Sequence, residues 1–189
     1  MKSELVTLLL AANVFFSFIV VAQEQNIQSG QDKRGLDSKR SLAAMESMPI
    51  LDKYKGSRFV ETRKLQSFSM RALLVCQLTE KILAVAKQTY LMRQTPEDLA
   101  KSMDIYREGQ VCVEQTQKTI SEYFRKSQAE LQKLRPRAVD KLKAYHSTWL
   151  SVVRGMPRDV QHPDALEIEQ QRDNRSVTAK ESELDVELE

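Results

Sequence analysis

The sequence predicts an all-α protein built on an antiparallel helical hairpin that one disulfide bond clamps. Glycine and proline number only five each in 189 residues, which leaves long stretches rich in strong helix formers. Cys76 and Cys112 are the only cysteines, and they lie equally far from a turn signal at Gln94 and Thr95. An apolar heptad repeat, typical of helices packed side by side, follows that turn.

The chain begins with Lys2 and an apolar run from Leu5 to Ala22. This layout, with small residues at its end, is typical of a secretory signal peptide, so we expect residues 1–22 to be cleaved after Ala22. The alternative is a retained membrane anchor, because about eighteen apolar residues reach the lower limit for a bilayer span. The protein is therefore predicted to be secreted or periplasmic, and the sequence does not distinguish a bacterial periplasm from eukaryotic secretion. Export favours a disulfide between Cys76 and Cys112, since disulfides persist outside the reducing cytosol.

Residues 23–56 are predicted to form a flexible polar leader, because glycine and proline recur there among polar residues. The leader contains two dibasic pairs, Lys33-Arg34 and Lys39-Arg40. In an animal secretory protein such pairs could be processing sites, and the simpler interpretation is an ordinary charged linker.

The helical domain is predicted to span residues 57–155. Its first helix runs from about Ser57 to Met92, and Thr95 and Pro96 mark the start of the second by suiting the N-cap and the first helical position. The second helix carries the heptad, which continues past Pro136 to Val152; its members before Pro136 are Leu99, Met103, Tyr106, Gln110, Val113, Gln117, Ile120, Phe124, Ser127, Leu131 and Leu134. Pro136 must either kink this helix or make it restart.

The cysteine pair also predicts a register in which facing residue numbers sum to about 188. Apolar residues then meet in four crossings: Val75 with Val113, Phe68 with Ile120, Ile82 with Tyr106, and Val85 with Met103. Two helices cannot bury stripes this broad, so the segment after Pro136 is expected to complete a three-helix bundle. The alternative is an elongated hairpin, with a kinked second helix, covered by a second copy.

The C-terminal residues 156–189 are predicted to be an acidic disordered tail. They hold 4 Lys and Arg against 10 Asp and Glu, whereas residues 23–155 hold 24 against 15. A segment with such charge and few large apolar residues is expected not to fold. A basic helical domain could bind anions, but its basic residues are interspersed with acids and lack interleaved aromatics, so we expect no nucleic-acid binding.

No motif for catalysis, a cofactor or a metal occurs in the sequence. GxSxG, HExxH and Gly-rich phosphate loops are missing, and His146 and His162 are isolated. Tyr145, Trp149 and Val152 form an apolar cluster that serves as the candidate interaction face. The predicted function is thus that of an exported, non-enzymatic protein that binds another protein, or itself, through an amphipathic helical face. The alternatives are a small apolar-ligand or lipid carrier, and a surface- or anion-associating envelope protein; association with a membrane is not favoured.

Overall fold

The structure, a computed structural model, describes residues 44–45, 47–158 and 163–189. The predicted signal peptide, its cleavage after Ala22 and the two dibasic pairs lie outside the described residues. Four long helices fall within the described ranges, and these ranges contain no strand, so the all-α prediction is confirmed. The helices are α1 (Val60–Arg93), α2 (Pro96–Leu134), α3 (Val139–Arg154) and α4 (Pro163–Leu188).

The turn between α1 and α2 forms where the sequence predicts it. Gln94 ends α1 in a left-handed conformation with φ of 51°, and Pro96 is the first residue of α2. The Thr95 hydroxyl accepts a hydrogen bond of 3.1 Å from the backbone N–H of Asp98, which would otherwise lack a partner at the helix start.

The register of the hairpin is the one that the cysteines predict. The Sγ atoms of Cys76 and Cys112 lie 2.8 Å apart. Further along the hairpin, Ser127 Oγ donates to the carbonyl of Glu61 over 3.0 Å, and those residue numbers again sum to 188. The two helices therefore pack antiparallel along most of their length.

At Pro136 the helix restarts after a tight turn. Helix α2 ends at Leu134, Arg135 leaves helical geometry with φ of −153°, and a 3-10 turn over Pro136–Ala138 leads into α3. Helix α3 then packs back across the hairpin, where Trp149 Nε1 donates to the carbonyl of Ser69 over 2.9 Å. The expected third helix of a bundle is thus present.

The C-terminal segment is a helix, which corrects the prediction of a disordered tail. Helix α4 runs antiparallel to α1: Asn174 lies beside Gln77, and Asp185 pairs with Arg63. Its inward face buries four apolar residues, Leu166, Val177, Leu184 and Leu188. The described residues therefore form a four-helix bundle rather than a three-helix bundle with a tail.

Polar residues within the same face explain why α4 is acidic and still folds. Gln170 donates to the Gln77 carbonyl over 3.0 Å and to Glu80 Oε2 over 3.1 Å. Glu181, which is buried, accepts from Lys53 Nζ over 2.9 Å and from the Tyr54 hydroxyl. Because a buried polar group is costly only when it lacks partners, these pairings allow a helix face that includes polar residues to pack.

Candidate interaction surface on the hairpin

The predicted interaction face of Tyr145, Trp149 and Val152 belongs to the core of the bundle. Tyr145 and Trp149 are each only 1% exposed, and Val152 is partly buried against the same core. The hydroxyls of Tyr145 and Ser69 are hydrogen-bonded, and burial raises the pKa of Tyr145. The folding back of α3 at Pro136 turns this apolar cluster inward, so it presents no surface to a partner.

The two cysteines meet inside the hairpin as free, buried thiols. Besides their mutual contact of 2.8 Å, the Thr116 hydroxyl lies 3.9 Å from the Cys76 sulfur. The contact with Cys112, together with burial, raises the pKa of the Cys76 thiol. The geometry thus brings together the two residues that the sequence pairs.

The histidine in the described residues has an aromatic environment. His146 stacks on Phe124 with ring centroids 3.9 Å apart. Burial, and then the nearby Arg154, lowers the pKa of His146, which favours the neutral ring. Within residues 44–45, 47–158 and 163–189, no group of three His, Cys, Asp or Glu side chains is placed to hold a metal ion.

One exposed apolar surface is a stripe on the first half of α2. Leu99, Met103 and Tyr106 are exposed by 40%, 49% and 36%, and we call these three residues the α2 stripe. Leu99 and Tyr106 share a heptad position with Val113 and Ile120, which are only 8% and 1% exposed. One continuous row of apolar residues is therefore covered in one half of α2 and uncovered in the other.

The chain after α3 crosses α2 close to the point where the exposed stripe begins. A Cβ atom at Gly109 would lie 3.1 Å from Cγ of Pro157, so the chain leaving α3 crosses α2 at this glycine. Residues of α2 before Gly109 therefore extend beyond the end of α3. Only glycine allows this close crossing without displacing the proline ring.

The two helices of the hairpin meet through small residues in this region. Within α2 the buried small residues nearest the stripe are Ser102, Gly109, Cys112 and Thr116, and Val113 is buried among them. Thr79 of α1 lies 3.6 Å from a Cβ built at Gly109, which places this row against α1. The larger Leu99, Met103 and Tyr106 side chains lie outside this row and stay exposed.

Helix α1 also carries exposed apolar residues, among them Leu74, Ile82, Val85 and Met92. The predicted crossings of Ile82 with Tyr106 and of Val85 with Met103 are therefore not part of a buried seam. The heptad identified the apolar row that contains Leu99 and Tyr106. The small residues Ser102, Gly109, Cys112 and Thr116 were the sequence signal for the side of α2 that packs against α1.

No protein-family model matches the chain, and neither a curated protein nor a solved structure matches it significantly. Among the residues that the structure describes, no helix has both the length and the apolar character needed to cross a membrane.

Proposed function

We propose that the protein is an exported, non-enzymatic binding protein whose α2 stripe receives an amphipathic helix of a partner protein. The observation that carries the proposal is the continuity of the stripe with the buried row of Val113 and Ile120. Val113 and Ile120 are buried in the core to which α3 contributes, and Leu99 and Tyr106 repeat their positions beyond the end of α3. A helix placed on the stripe would extend the buried row of Val113 and Ile120 along α2.

The stripe offers enough apolar surface for measurable binding. A fully buried Leu, Met or aromatic side chain contributes about 1.5–3 kcal/mol. Completing the burial of three side chains that are already half covered would then contribute about 2–4 kcal/mol in total. That range corresponds to a change of roughly thirtyfold to several hundredfold in affinity.

Export and the disulfide belong to the same proposal and rest on the sequence together with the cysteine geometry. The apolar run from Leu5 to Ala22 motivates export, and two buried thiols 2.8 Å apart are placed to form the bond. We expect the secreted protein to begin at Gln23, and its mass to be lower by two hydrogens than that of the reduced form. Intact-mass spectrometry with and without reduction measures both. A mass that includes residues 1–22, or one unchanged by reduction, would remove this part of the proposal.

The binding proposal is tested with a stripe variant and a matched control. Met103→Gln combined with Tyr106→Gln makes the stripe polar. Ile168→Gln combined with Val186→Gln removes exposed apolar side chains, 69% and 70% exposed, from α4 instead. A protein recovered with the tagged wild type is mapped to its binding peptide, and the affinity of that peptide is measured by fluorescence anisotropy.

We expect the mapped peptide to be helical with apolar residues spaced by three and four, and its affinity to fall at least about tenfold in the stripe variant only. Sedimentation of the purified protein identifies a second copy as the occupant if the wild type dimerises and the stripe variant does not. Equal binding by the stripe variant and the control would contradict the proposal.

A further inference from the structure

Helix α1 carries a heptad row of its own, and half of the residues in this row are exposed. Its members, which we call the α1 row, are Val75, Leu78, Ile82, Val85, Thr89 and Met92. Ile82, Val85 and Met92 are exposed by 37%, 57% and 72%, and the other three are partly buried. Residues spaced alternately by three and four lie along one side of a helix and are typical of a seam between two helices.

The segment that precedes α1 covers the beginning of this side of the helix. Phe68 and Arg71 continue the same spacing toward the start of α1. Phe68 is buried, and the Arg71 guanidinium donates to the carbonyl of Pro49 over 2.6 Å. The α1 row therefore extends beyond the part of this side on which the preceding segment packs.

The α1 row and the α2 stripe lie on opposite faces of the hairpin. The two helices meet where residue numbers sum to 188, which places the buried Ala86 opposite the buried Ser102. Val85 comes one residue before its contact position, and Met103 comes one residue after. In antiparallel helices, residues that precede the contact positions of both helices share a face, whereas one that precedes and one that follows lie on opposite faces. The hairpin thus has a second apolar surface.

The residue types of the α1 row indicate a second copy of α1 as its occupant. The first heptad position holds Val75, Ile82 and Thr89, and the fourth holds Leu78, Val85 and Met92. β-branched residues at the first position with Leu at the fourth favour a parallel pair of helices, and Val85 alone departs strongly from this pattern. The Thr89 hydroxyl already donates to the Val85 carbonyl over 2.9 Å, so burying it in a seam leaves no donor unpaired.

The charges beside the α1 row fit the same arrangement. Lys81 is exposed and borders the row on the side away from α2. Asp104 precedes the contact position Ile105, so it lies on the face of the α1 row at the opposite border. A two-fold axis parallel to α1 brings Lys81 of one copy beside Asp104 of the other, whereas an antiparallel pair brings like charges together. Asp104 also contacts Arg107 over 3.3 Å, but exposed pairs of this kind contribute little.

We propose that the α1 row pairs with the α1 row of a second copy, parallel and in register, so that two hairpins form a dimer. The inference goes beyond the proposed binding of a partner helix and does not depend on it, because the α1 row and the α2 stripe share no residue. The contact covers about five turns of one helix from each copy. For so short a contact we expect a dissociation constant at the micromolar end of the range for protein interfaces.

Sedimentation equilibrium of the purified protein over a series of concentrations measures this association. Ile82→Gln combined with Val85→Gln should raise the dissociation constant at least about tenfold, because both copies lose apolar side chains from the contact. The matched control of Ile168→Gln with Val186→Gln on α4, and the α2 stripe variant, should both dimerise like the wild type. A wild type that stays monomeric, or a dimer that the Ile82 and Val85 substitutions leave unchanged, would overturn the proposal. Loss of the dimer in the α2 stripe variant alone would assign it to the α2 stripe instead.

Cysteine cross-linking tests the orientation. Met92→Cys places a thiol at one end of the α1 row, where it meets its counterpart only if the helices are parallel. We expect a disulfide-linked dimer of Met92→Cys on a non-reducing gel and none of Ile168→Cys, whose position on α4 is exposed to a similar extent. In an antiparallel pair Met92 would lie beside Val75 of the other copy, so a lack of cross-linking would contradict the parallel register.

A charge exchange tests the predicted pair between copies. Lys81→Glu and Asp104→Lys should each raise the dissociation constant about threefold or more, because each places like charges together twice in the dimer. The two substitutions combined should restore the affinity of the wild type. A combined variant that dimerises no better than either single variant would show that Lys81 and Asp104 do not meet across the dimer.

Discussion

Arg158→Met should destabilise the protein strongly, because it removes the cation that neutralises a buried carboxylate. The side chain of Glu80 is only 1% exposed, and it accepts from Arg158 Nε over 3.0 Å and from Arg158 Nη2 over 2.9 Å. The backbone N–H of residue 158 and the Gln170 amide also donate to Glu80, and these two bonds remain in the variant. Asp173 loses its 2.6 Å contact with Arg158 as well.

The magnitude follows from those two lost side-chain bonds. A hydrogen bond to a charged group contributes about 1.5–3 kcal/mol, and breaking one partner of a buried ion pair costs about 3–5 kcal/mol. We therefore expect the free energy of unfolding to fall by about 3–5 kcal/mol, and the melting temperature to fall by about 6–20 °C.

Urea and thermal unfolding followed by far-ultraviolet circular dichroism measure this change. The control is Lys143→Met, which breaks the surface pair with Asp140; exposed pairs contribute little, so its stability should hardly change. The double variant Glu80→Met with Arg158→Met should recover part of the loss, because no carboxylate is then left buried at position 80. A fall below about 1 kcal/mol in the single variant, or no recovery in the double variant, would refute the reasoning.

The remaining predictions concern the hairpin clamp, a buried tyrosine and the docking of α4. Cys76→Ser should lower the free energy of unfolding by about 3–4 kcal/mol without reductant, because the proposed disulfide to Cys112 would close a loop of about 35 residues; an unchanged urea midpoint would contradict that disulfide. Burial, and then the hydrogen bond to Glu181, raises the pKa of Tyr54 above its ordinary value of 10.0, so its contribution to stability is complete below about pH 10 and is lost as the pH rises further. Tyr54→Phe should therefore reduce the alkaline loss of stability in urea unfolding between about pH 9 and 11, and an identical pH profile would contradict this. Val177 is fully buried, so Val177→Asp should lower the free energy of unfolding by about 3 kcal/mol or more and expose α4 to limited trypsin digestion. Rapid cleavage of α4 in the wild type would contradict the docked helix.

The hairpin could be predicted because its determinants are local. Thr95 and Pro96 specify the turn by backbone chemistry that depends on neighbouring residues alone. Once the turn is placed, the positions of Cys76 and Cys112 fix the register without knowledge of the rest of the fold.

Helix α4 could not be predicted from its own composition. Two of its six buried residues, Gln170 and Glu181, are polar, and they are acceptable in a core only because Gln77 and Tyr54 lie opposite them. Those partners are about a hundred residues away in the chain, so the acidic pattern of α4 alone indicates disorder.

The sequence predicted the apolar row of the α2 stripe, but it did not predict that this row is exposed. Leu99 and Tyr106 occupy the same heptad position as Val113 and Ile120. The repeat indicates which residues share a helix face, but it does not indicate what covers that face. Coverage depends on where α3 ends, and that end is set by the fold-back at Pro136 and the crossing at Gly109. The same fold-back places Tyr145 and Trp149 in the core.

The most direct test of the binding proposal is photo-cross-linking from the α2 stripe in cells that express the protein. Benzoylphenylalanine is placed at Met103, and in a parallel protein at Ile168, which is more exposed but lies on α4. We predict that Met103 cross-links to a single helical peptide with apolar residues spaced by three and four, in a partner protein or in a second copy, and that Ile168 does not. If the two positions gave the same cross-links, or if Met103 gave none, the α2 stripe would not be a binding surface.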